Sequence, residues 1–287
     1  AGAYFIVMLG NARNNERIKK ITGLGLLLSL ITLPVGLLSI QLDLGHIERF
    51  YKLFLRPSPT SVMAWMTFIY GIYGLVLLTT IVLNFLKKIP KTFSWIAAVF
   101  ALFIIVLESM LFALPPGKHW HTIIFPLHFL ITSVISGTAF LIFLSGIIRK
   151  DDEAVNSLSK IAVSLLILNL VVEIIDGVSG GGFSQLKIMY LIFGNIVPVL
   201  LLRMPVQSAK IFAGLIAGFG ILATKHNSLV WAQLKQPYKG FEQSFIEHGL
   251  GFKYIPSVTE WMAVIFLISL TITMFYILYR VLPIKEG

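Results

Sequence analysis

The sequence predicts an all-α integral membrane protein, a polytopic helical bundle, and three observations support this class. The chain of 287 residues is 57% hydrophobic, and only 13% of its residues are charged, against roughly 25% in a soluble domain. Its mean hydropathy is +0.88. Apolar runs of about 18 residues or more, long enough to cross the hydrocarbon core of a bilayer, recur along the chain with short polar breaks.

Eight of these apolar runs are long enough for a complete span. Their polar breaks place the spans at about 21–42, 60–86, 92–114, 121–148, 157–177, 185–202, 207–225 and 257–281. Residues 1–10 are too short to cross, so we expect them to be the end of a helix that starts before Ala1. The motif RPSPTS predicts a rigid turn before the second span, with Ser58 or Thr60 as the helix cap.

The basic residues indicate how the bundle is oriented in the membrane. Of the 23 Lys and Arg residues, 14 lie on the side of the first basic loop, at residues 11–20, and nine lie on the opposite side. Cytoplasmic loops carry the excess of Lys and Arg, so the loop after Asp43 and residues 226–256 are predicted to lie outside. We attribute the net charge of +10 to these interfacial residues and not to nucleic-acid binding. The cytoplasmic membrane of the cell is the expected location.

The chain is predicted to contain two groups of four helices and one peripheral helix. The acidic break from Lys150 to Glu153 separates residues 1–115 from residues 116–226, and residues 227–287 add an outer loop and the last helix. The first group includes the truncated first helix. In the seventh span, the stretch AGLIAGFGI has small residues at the spacing that favours tight helix contact.

Several kinds of cofactor are disfavoured by the sequence. The chain has no cysteine, so it cannot supply a thiolate-bound zinc or a cysteine-ligated iron–sulfur cluster of its own. A transmembrane b-type haem usually needs two histidines inside spans, and only His128 is well inside one. No phosphate-binding Gly-rich loop with its lysine occurs. We therefore expect no metal and no covalently bound cofactor.

The polar segment after the first complete span is the first candidate site. Asp43, His46, Glu48 and Arg49 fall within seven residues, so one turn of chain can bring a carboxylate, an imidazole and a guanidinium together at the membrane surface. Such a group can exchange protons with a ligand that rests partly in lipid. The alternative is an interfacial ion cluster that only anchors the helix.

Four ionisable residues within the spans form the second candidate site. Glu108 is flanked by apolar residues, where an unpaired charge is costly, so it is a candidate for a proton relay or for a protonated packing contact. Glu173 and Asp176 are three residues apart and share a helix face. They are candidates for a proton relay or for polar groups that only face the membrane interface. We expect these acids and His128 to form a proton path, in a hydrogen-bonded file with three polar residues of the second group: Asn169, Tyr190 and Asn195.

Several motifs together resemble one known family. DLGHIERF with RPSPTSVMAW resembles an acidic-Leu-Gly loop followed by a Pro-Thr-Ser-x-Met-x-Trp helix start, and AGAYF resembles the end of a small-residue-rich early helix. Weaker matches are FPLHFLITSVISGTAF, FGNIVPVLLL, and KHNSLVWAQ with YIPSVTEW. The whole chain thus resembles the polysulfide-reductase membrane subunit, or NrfD, family. The closing motifs are similar to a longer branch that includes hydrogenase and sulfite-reduction-complex membrane subunits.

The resemblance implies a quinone-binding membrane subunit of a respiratory oxidoreductase. Menaquinone or another quinone would bind at the outer face, next to a ferredoxin-like iron–sulfur subunit and a larger catalytic subunit. Asp43 would exchange protons, and His46 or Arg49 would donate a hydrogen bond to a quinone carbonyl. Three further residues would line the same pocket: Tyr4, His119 and His121.

Two other functions stay open at this point. The chain can be a proton-translocating or transport bundle without redox chemistry, which the acids inside its spans favour. It can also be a purely structural anchor. As a quinone-reactive subunit, it is expected to act in catalysis only within its complex.

Overall fold

The protein is a bundle of α-helices. The computed structural model describes residues 1–43, 47–49, 51–55, 57–113, 124–178, 185–234 and 256–282, and no strand occurs in these ranges. In chain order, the helices are α1 (Gly2–Ala12), α2 (Glu16–Lys19), α3 (Thr22–Asp43), α4 (Lys52–Leu55), α5 (Val62–Phe85), α6 (Lys91–Ala113), α7 (Ile124–Leu144), α8 (Asp152–Asp176), α9 (Gln185–Tyr190), α10 (Val197–Arg203), α11 (Gln207–Leu234) and α12 (Val258–Val281).

Seven helices in the described ranges are long and apolar enough to cross a membrane. They are α3, α5, α6, α7, α8, α11 and α12. The predicted class, an all-α polytopic membrane protein, is confirmed. A π-helical segment at Ser145–Arg149 extends α7.

The span predicted at 185–202 is helical but not uniform. A π-helical segment at Leu191–Ile196 joins α9 to α10, and this helix is not one of the seven. Pro198 is the second residue after the segment and has no amide hydrogen to continue the regular ladder of hydrogen bonds. The ring of Tyr190 lies against Gly194, where a Cβ atom would overlap it. The local sequence therefore favours a widened turn over a regular α-helix.

Three predicted helix ends differ from the structure. Helix α8 begins at Asp152 and not at 157, because Asp151 caps it by accepting a hydrogen bond from the Ala154 amide over 3.0 Å. Helix α5 is capped by the Ser61 hydroxyl, and the predicted caps Ser58 and Thr60 contact each other instead. Helix α11 continues past 225 to Leu234, because no proline interrupts the chain there.

The short helix α1 lies at the centre of the bundle. It packs against α3, α6 and α7, and its residues Tyr4, Val7 and Met8 are fully buried. The main hydrophobic core includes residues from both predicted helix groups. Around this core, α3 packs on α5 and α5 on α6, while α8, α10 and α11 contact one another beside α7. The division into two groups of four stays a prediction.

The last helix packs on the outside of the bundle. Helix α12 contacts the α3 face formed by Leu27, Ile31 and Val35, and none of its residues is buried.

The predicted tight helix contact of the AGLIAGFGI stretch is confirmed, and it lies between α11 and α7. There, a Cβ atom at Gly214 of α11 would lie 2.7 Å from the Ala139 carbonyl oxygen of α7.

Helix α1 lies very close to α7 at Gly137. A Cβ atom at this position would overlap the backbone of Gly2 and Ala3, which cannot move aside as a flexible side chain can. We expect Gly137→Ala to lower the free energy of unfolding by about 1–3 kcal/mol, as overpacked substitutions do. Thermal unfolding of the purified protein measures this effect.

Gly71→Ala in α5 is the matched control for this prediction. No atom lies within 4 Å of a Cβ atom at Gly71. The same substitution there is expected to leave stability unchanged or to raise it by about 0.5–1 kcal/mol, because alanine favours helix. Equal effects at Gly71 and Gly137 would contradict the proposed contact.

Candidate functional site

Ionisable side chains gather at one end of the bundle. The carboxyl-terminal parts of α6, α8 and α11 meet the amino-terminal parts of α7 and α9 there. The contacts that show this are Phe112 with Phe129, His128 with Glu173, Lys187 with Asp176, and Lys225 with Phe129. The carboxyl end of α3, at Asp43, points the same way. The charge distribution predicts that this end faces outward.

Four of these side chains form a continuous chain of polar contacts, which we call the acid–base chain. His128 Nε2 lies 2.7 Å from Glu173 Oε1. Lys187 Nζ lies 3.4 Å from Glu173 Oε2 and 2.7 Å from Asp176 Oδ2. Glu173 is 3% exposed and Lys187 is 8% exposed. Acids and bases alternate along this chain, so a proton can be held at or passed between neighbouring groups.

Helix geometry explains why these residues meet. Glu173 and Asp176 are one turn apart on α8 and point to the same side, as predicted. Lys187 stands near the start of α9, and the helix that continues from α9 packs on α8 through Leu191–Ile196 and α10. The Lys187 ammonium group thereby reaches both carboxylates. His128 lies in the first turns of α7 and approaches Glu173 from the other side.

A second polar set lies deeper along the same face of α8. Asn169 Nδ2 donates hydrogen bonds to the Tyr190 hydroxyl and to Asn195 Oδ1, each over 3.0 Å. All three residues are buried, and Asn169 stands one turn from Glu173. Within the described residues, Asn169 Oδ1 and Asn195 Nδ2 have no hydrogen-bond partner. This set and the acid–base chain contain the residues of the predicted file except Glu108, and a proton path through them stays a prediction.

Glu108 lies in a separate part of the same end. It is half-buried on α6 and close enough to Lys225 of α11 for their charges to interact. Lys225 Nζ stands 3.9 Å from the centroid of the Phe129 ring. The rings of Phe125 and Phe129 pack beside it, with centroids 6.1 Å apart. An acid, a lysine and aromatic rings therefore share the outer ends of α6, α7 and α11.

Tyr4 is enclosed in the core. Its hydroxyl lies 2.6 Å from Thr80 Oγ1, and its ring meets Tyr73 edge-on at 5.5 Å. One turn away in α1, Val7 packs on Gly25 of α3. From Gly25 to its carboxyl end at Asp43, α3 extends about 27 Å along its axis, at about 1.5 Å per residue. The structure therefore does not bring Tyr4 close to the end of α3, and its predicted place in a quinone pocket stays a prediction.

The polar loop after α3 is described only in part. Asp43 is the last residue of α3, and its side chain lies outside the described residues, as do His46, His119 and His121. Arg49 ends the short 3₁₀-helix Ile47–Arg49 and is exposed, with its Nε 3.9 Å from Glu48 Oε1. The roles of these residues stay predictions.

Sequence reasoning does not identify two lysines of this end. In the sequence, Lys187 and Lys225 only mark the ends of spans, yet the first lies between two acids and the second lies near Glu108. One signal in the sequence points to Lys187 as a partner of the acids: it lies close to the start of the span that follows Glu173 and Asp176. Within the described ranges, no group of three or more His, Asp or Glu residues could hold a metal ion.

Comparisons with known proteins identify the family. The family model described as "Polysulphide reductase, NrfD" matches residues 1–237. The chain is 21% identical to a selenate reductase subunit of Mesobacillus selenatarsenatis, covering 99% of this chain and 82% of that protein. It is 20% identical to the Hdr-like menaquinol oxidoreductase integral membrane subunit of Archaeoglobus fulgidus, covering 99% and 81%. The chain therefore belongs to the NrfD polysulphide reductase family.

Proposed function

We propose that this protein is the quinone-reactive membrane subunit of a multisubunit oxidoreductase. The observation that carries the proposal is the family match, together with a relative that is named as a menaquinol oxidoreductase membrane subunit and matches 99% of this chain. The helical membrane fold and the ionisable groups at its predicted outer end support the same function. Menaquinone or another quinone is the substrate, and it docks at that end, from the lipid.

The electron carrier must then belong to a partner subunit. The chain has no cysteine, so an iron–sulfur cluster close to the quinone would have its cysteine ligands in another protein. A ferredoxin-like subunit on the outer face, with a larger catalytic subunit beyond it, fits this requirement. The direction of electron flow depends on the potentials of those centres.

Protons accompany the electrons in quinone chemistry. Reduction of a quinone to a quinol takes up two electrons and two protons, and oxidation releases them. In this proposal Asp43 exchanges protons with the bound quinone, and Arg49 or His46 donates a hydrogen bond to a carbonyl oxygen. Glu108 and the acid–base chain carry protons through the outer half of the bundle.

Isolation of the intact complex tests the proposal. We expect the protein to co-purify with a subunit that carries iron–sulfur clusters, and we expect the complex to catalyse quinone-dependent electron transfer. Optical assays with a soluble menaquinone analogue measure this transfer. A purified complex that has the clusters but neither binds the analogue nor transfers electrons to or from it would contradict the proposal.

The acid–base chain also favours a second candidate function, which is proton translocation without redox chemistry. Buried acids paired with a histidine and a lysine inside a membrane are typical of proton relays. Reconstitution of the chain alone in proteoliposomes distinguishes the two functions. Proton or substrate flux without any redox partner would favour the second candidate, and its absence would favour the first.

Glu108 provides a direct test of proton conduction. We expect Glu108→Gln to slow turnover-coupled proton uptake or release by about tenfold or more, because the amide cannot take up a proton. A pH-sensitive dye and the complex in proteoliposomes provide the measurement. Glu16→Gln, at an exposed surface ion pair, is the control and should have no effect. Equal rates for both variants would exclude Glu108 from the path.

A further inference from the structure

A second site lies at the opposite end of the bundle, which is predicted to face the cytoplasm. A crevice of about 710 Å³ opens there between α2, α8, α10 and α11. Four basic side chains from these four helices line it: Arg17, Lys160, Arg203 and Lys210. The volume is within the range of small-molecule binding sites, roughly 300–1,000 Å³.

Among the described residues, the basic side chains of this crevice outnumber the acidic ones. Its one lining carboxylate, Glu153, is shared with Lys20, whose Nζ lies 3.3 Å from Glu153 Oε2. In the part of the chain that the structure describes, the side chains of Arg17, Lys160 and Arg203 have no carboxylate partner. An anion in the crevice would supply the missing charge.

One lining lysine is already held in place by its neighbours. Lys210 Nζ donates a hydrogen bond to Asn156 Oδ1 over 2.5 Å, and Gln207 Nε2 donates to the same oxygen over 3.2 Å. This contact fixes the start of α11 against α8. The lysine is therefore positioned before any ligand binds, which lowers the entropy that binding costs.

The crevice is apolar on its membrane side. Val163 of α8 and Leu202 of α10 belong to its lining, and exposed apolar residues of α8, such as Ile167 and Val171, continue toward the bilayer centre. Lys160 stands two turns inside α8, and its long side chain can extend back toward the membrane surface. A ligand here would meet positive charge at one end and hydrocarbon at the other.

We propose that this crevice binds an anionic phospholipid from the cytoplasmic leaflet. The lipid phosphate lies among the basic side chains, and an acyl chain runs along Val163 and the exposed Ile167 and Val171 of α8. Basic pockets between transmembrane helices on the cytoplasmic side bind the headgroups of such lipids. This site is separate from the proposed quinone site and does not depend on it.

Lipid binding by the delipidated complex tests the proposal. Native mass spectrometry measures the binding of phosphatidylglycerol to the wild type and to Lys160→Gln/Arg203→Gln. Neither residue has an ion pair to lose within the described ranges, so the variant should fold. We expect its dissociation constant for phosphatidylglycerol to rise by roughly 30-fold, from the loss of two basic residues near the surface.

The control places the same charge change elsewhere on the same side. Lys88→Gln/Lys91→Gln removes two exposed lysines that do not line the crevice, and binding should stay at the wild-type level. Equal losses in both variants would show only general surface attraction and would overturn the proposal. Phosphatidylcholine is expected to bind weakly to all three proteins.

Inorganic phosphate separates the two possible sources of the anion. If phosphate prevents phosphatidylglycerol binding at millimolar concentration, the crevice is a site for a free anion and the lipid assignment is wrong. Retention of phosphatidylglycerol in the presence of phosphate supports the proposal. Quinone-linked turnover of the crevice variant reports separately on the proposed function.

Discussion

Asp43→Asn is expected to abolish quinone-linked turnover. The residue ends α3 at the predicted outer face and is proposed to exchange protons with the quinone. Asparagine keeps the shape of the side chain but cannot take up or release a proton. General acid–base groups contribute about 100-fold or more to a rate, so we expect a loss of at least that size.

The readout must separate the membrane subunit from its soluble partners. Electron transfer to or from a water-soluble dye bypasses the quinone, so the partners of the Asp43→Asn variant should keep their dye-linked activity. Asp152→Asn makes the same change at an exposed position at the other end of the bundle and serves as the control. Unchanged quinone-linked turnover in Asp43→Asn would refute the proposed site.

Lys187→Met is expected to cause the largest loss of stability. The change removes the ammonium group that lies 3.4 Å from Glu173 and 2.7 Å from Asp176. Two acids then remain without their shared lysine, and one of them, Glu173, is buried. Removal of one partner of a buried ion pair costs about 3–5 kcal/mol of folding free energy.

Two further variants separate charge from packing. Lys91→Met removes an exposed lysine at the start of α6 and should change stability by less than about 0.5 kcal/mol. Glu173→Gln/Lys187→Met removes one charge of each sign and should recover part of the lost stability. Thermal unfolding in a single detergent compares the four proteins. If Lys187→Met is as stable as Lys91→Met, the acid–base chain does not stabilise the fold.

The sequence predicts the spans better than their ends. Hydrophobic runs locate α3, α5, α6, α7, α8, α11 and α12, because a bilayer requires about 20 apolar residues in each spanning helix. They do not locate the start of α8, because its acidic residues interrupt the apolar run, whereas Asp151 in fact caps the helix. They also do not reveal the interruption between α9 and α10, because it depends on how the Tyr190 ring packs on Gly194.

Residue types identify candidates for the site but not their partners. Glu173, Asp176 and His128 stand out because ionisable groups are rare inside membranes. The sequence does not show that Lys187 joins Glu173 and Asp176, since their contact depends on how the helix that begins with α9 packs on α8 through Leu191–Ile196 and α10. It likewise does not show that Tyr4 is enclosed in the core beside α5.

The sequence by itself determined that this protein is a multi-pass helical membrane protein of a recognisable family. Composition and the length of apolar runs are enough for the membrane class, because each spanning helix satisfies its backbone hydrogen bonds within its own segment. The tertiary structure decided which polar groups meet, in the acid–base chain at one end and in the basic crevice at the other. Those contacts depend on the rotation of each helix and the neighbours it faces, and a single sequence does not specify either.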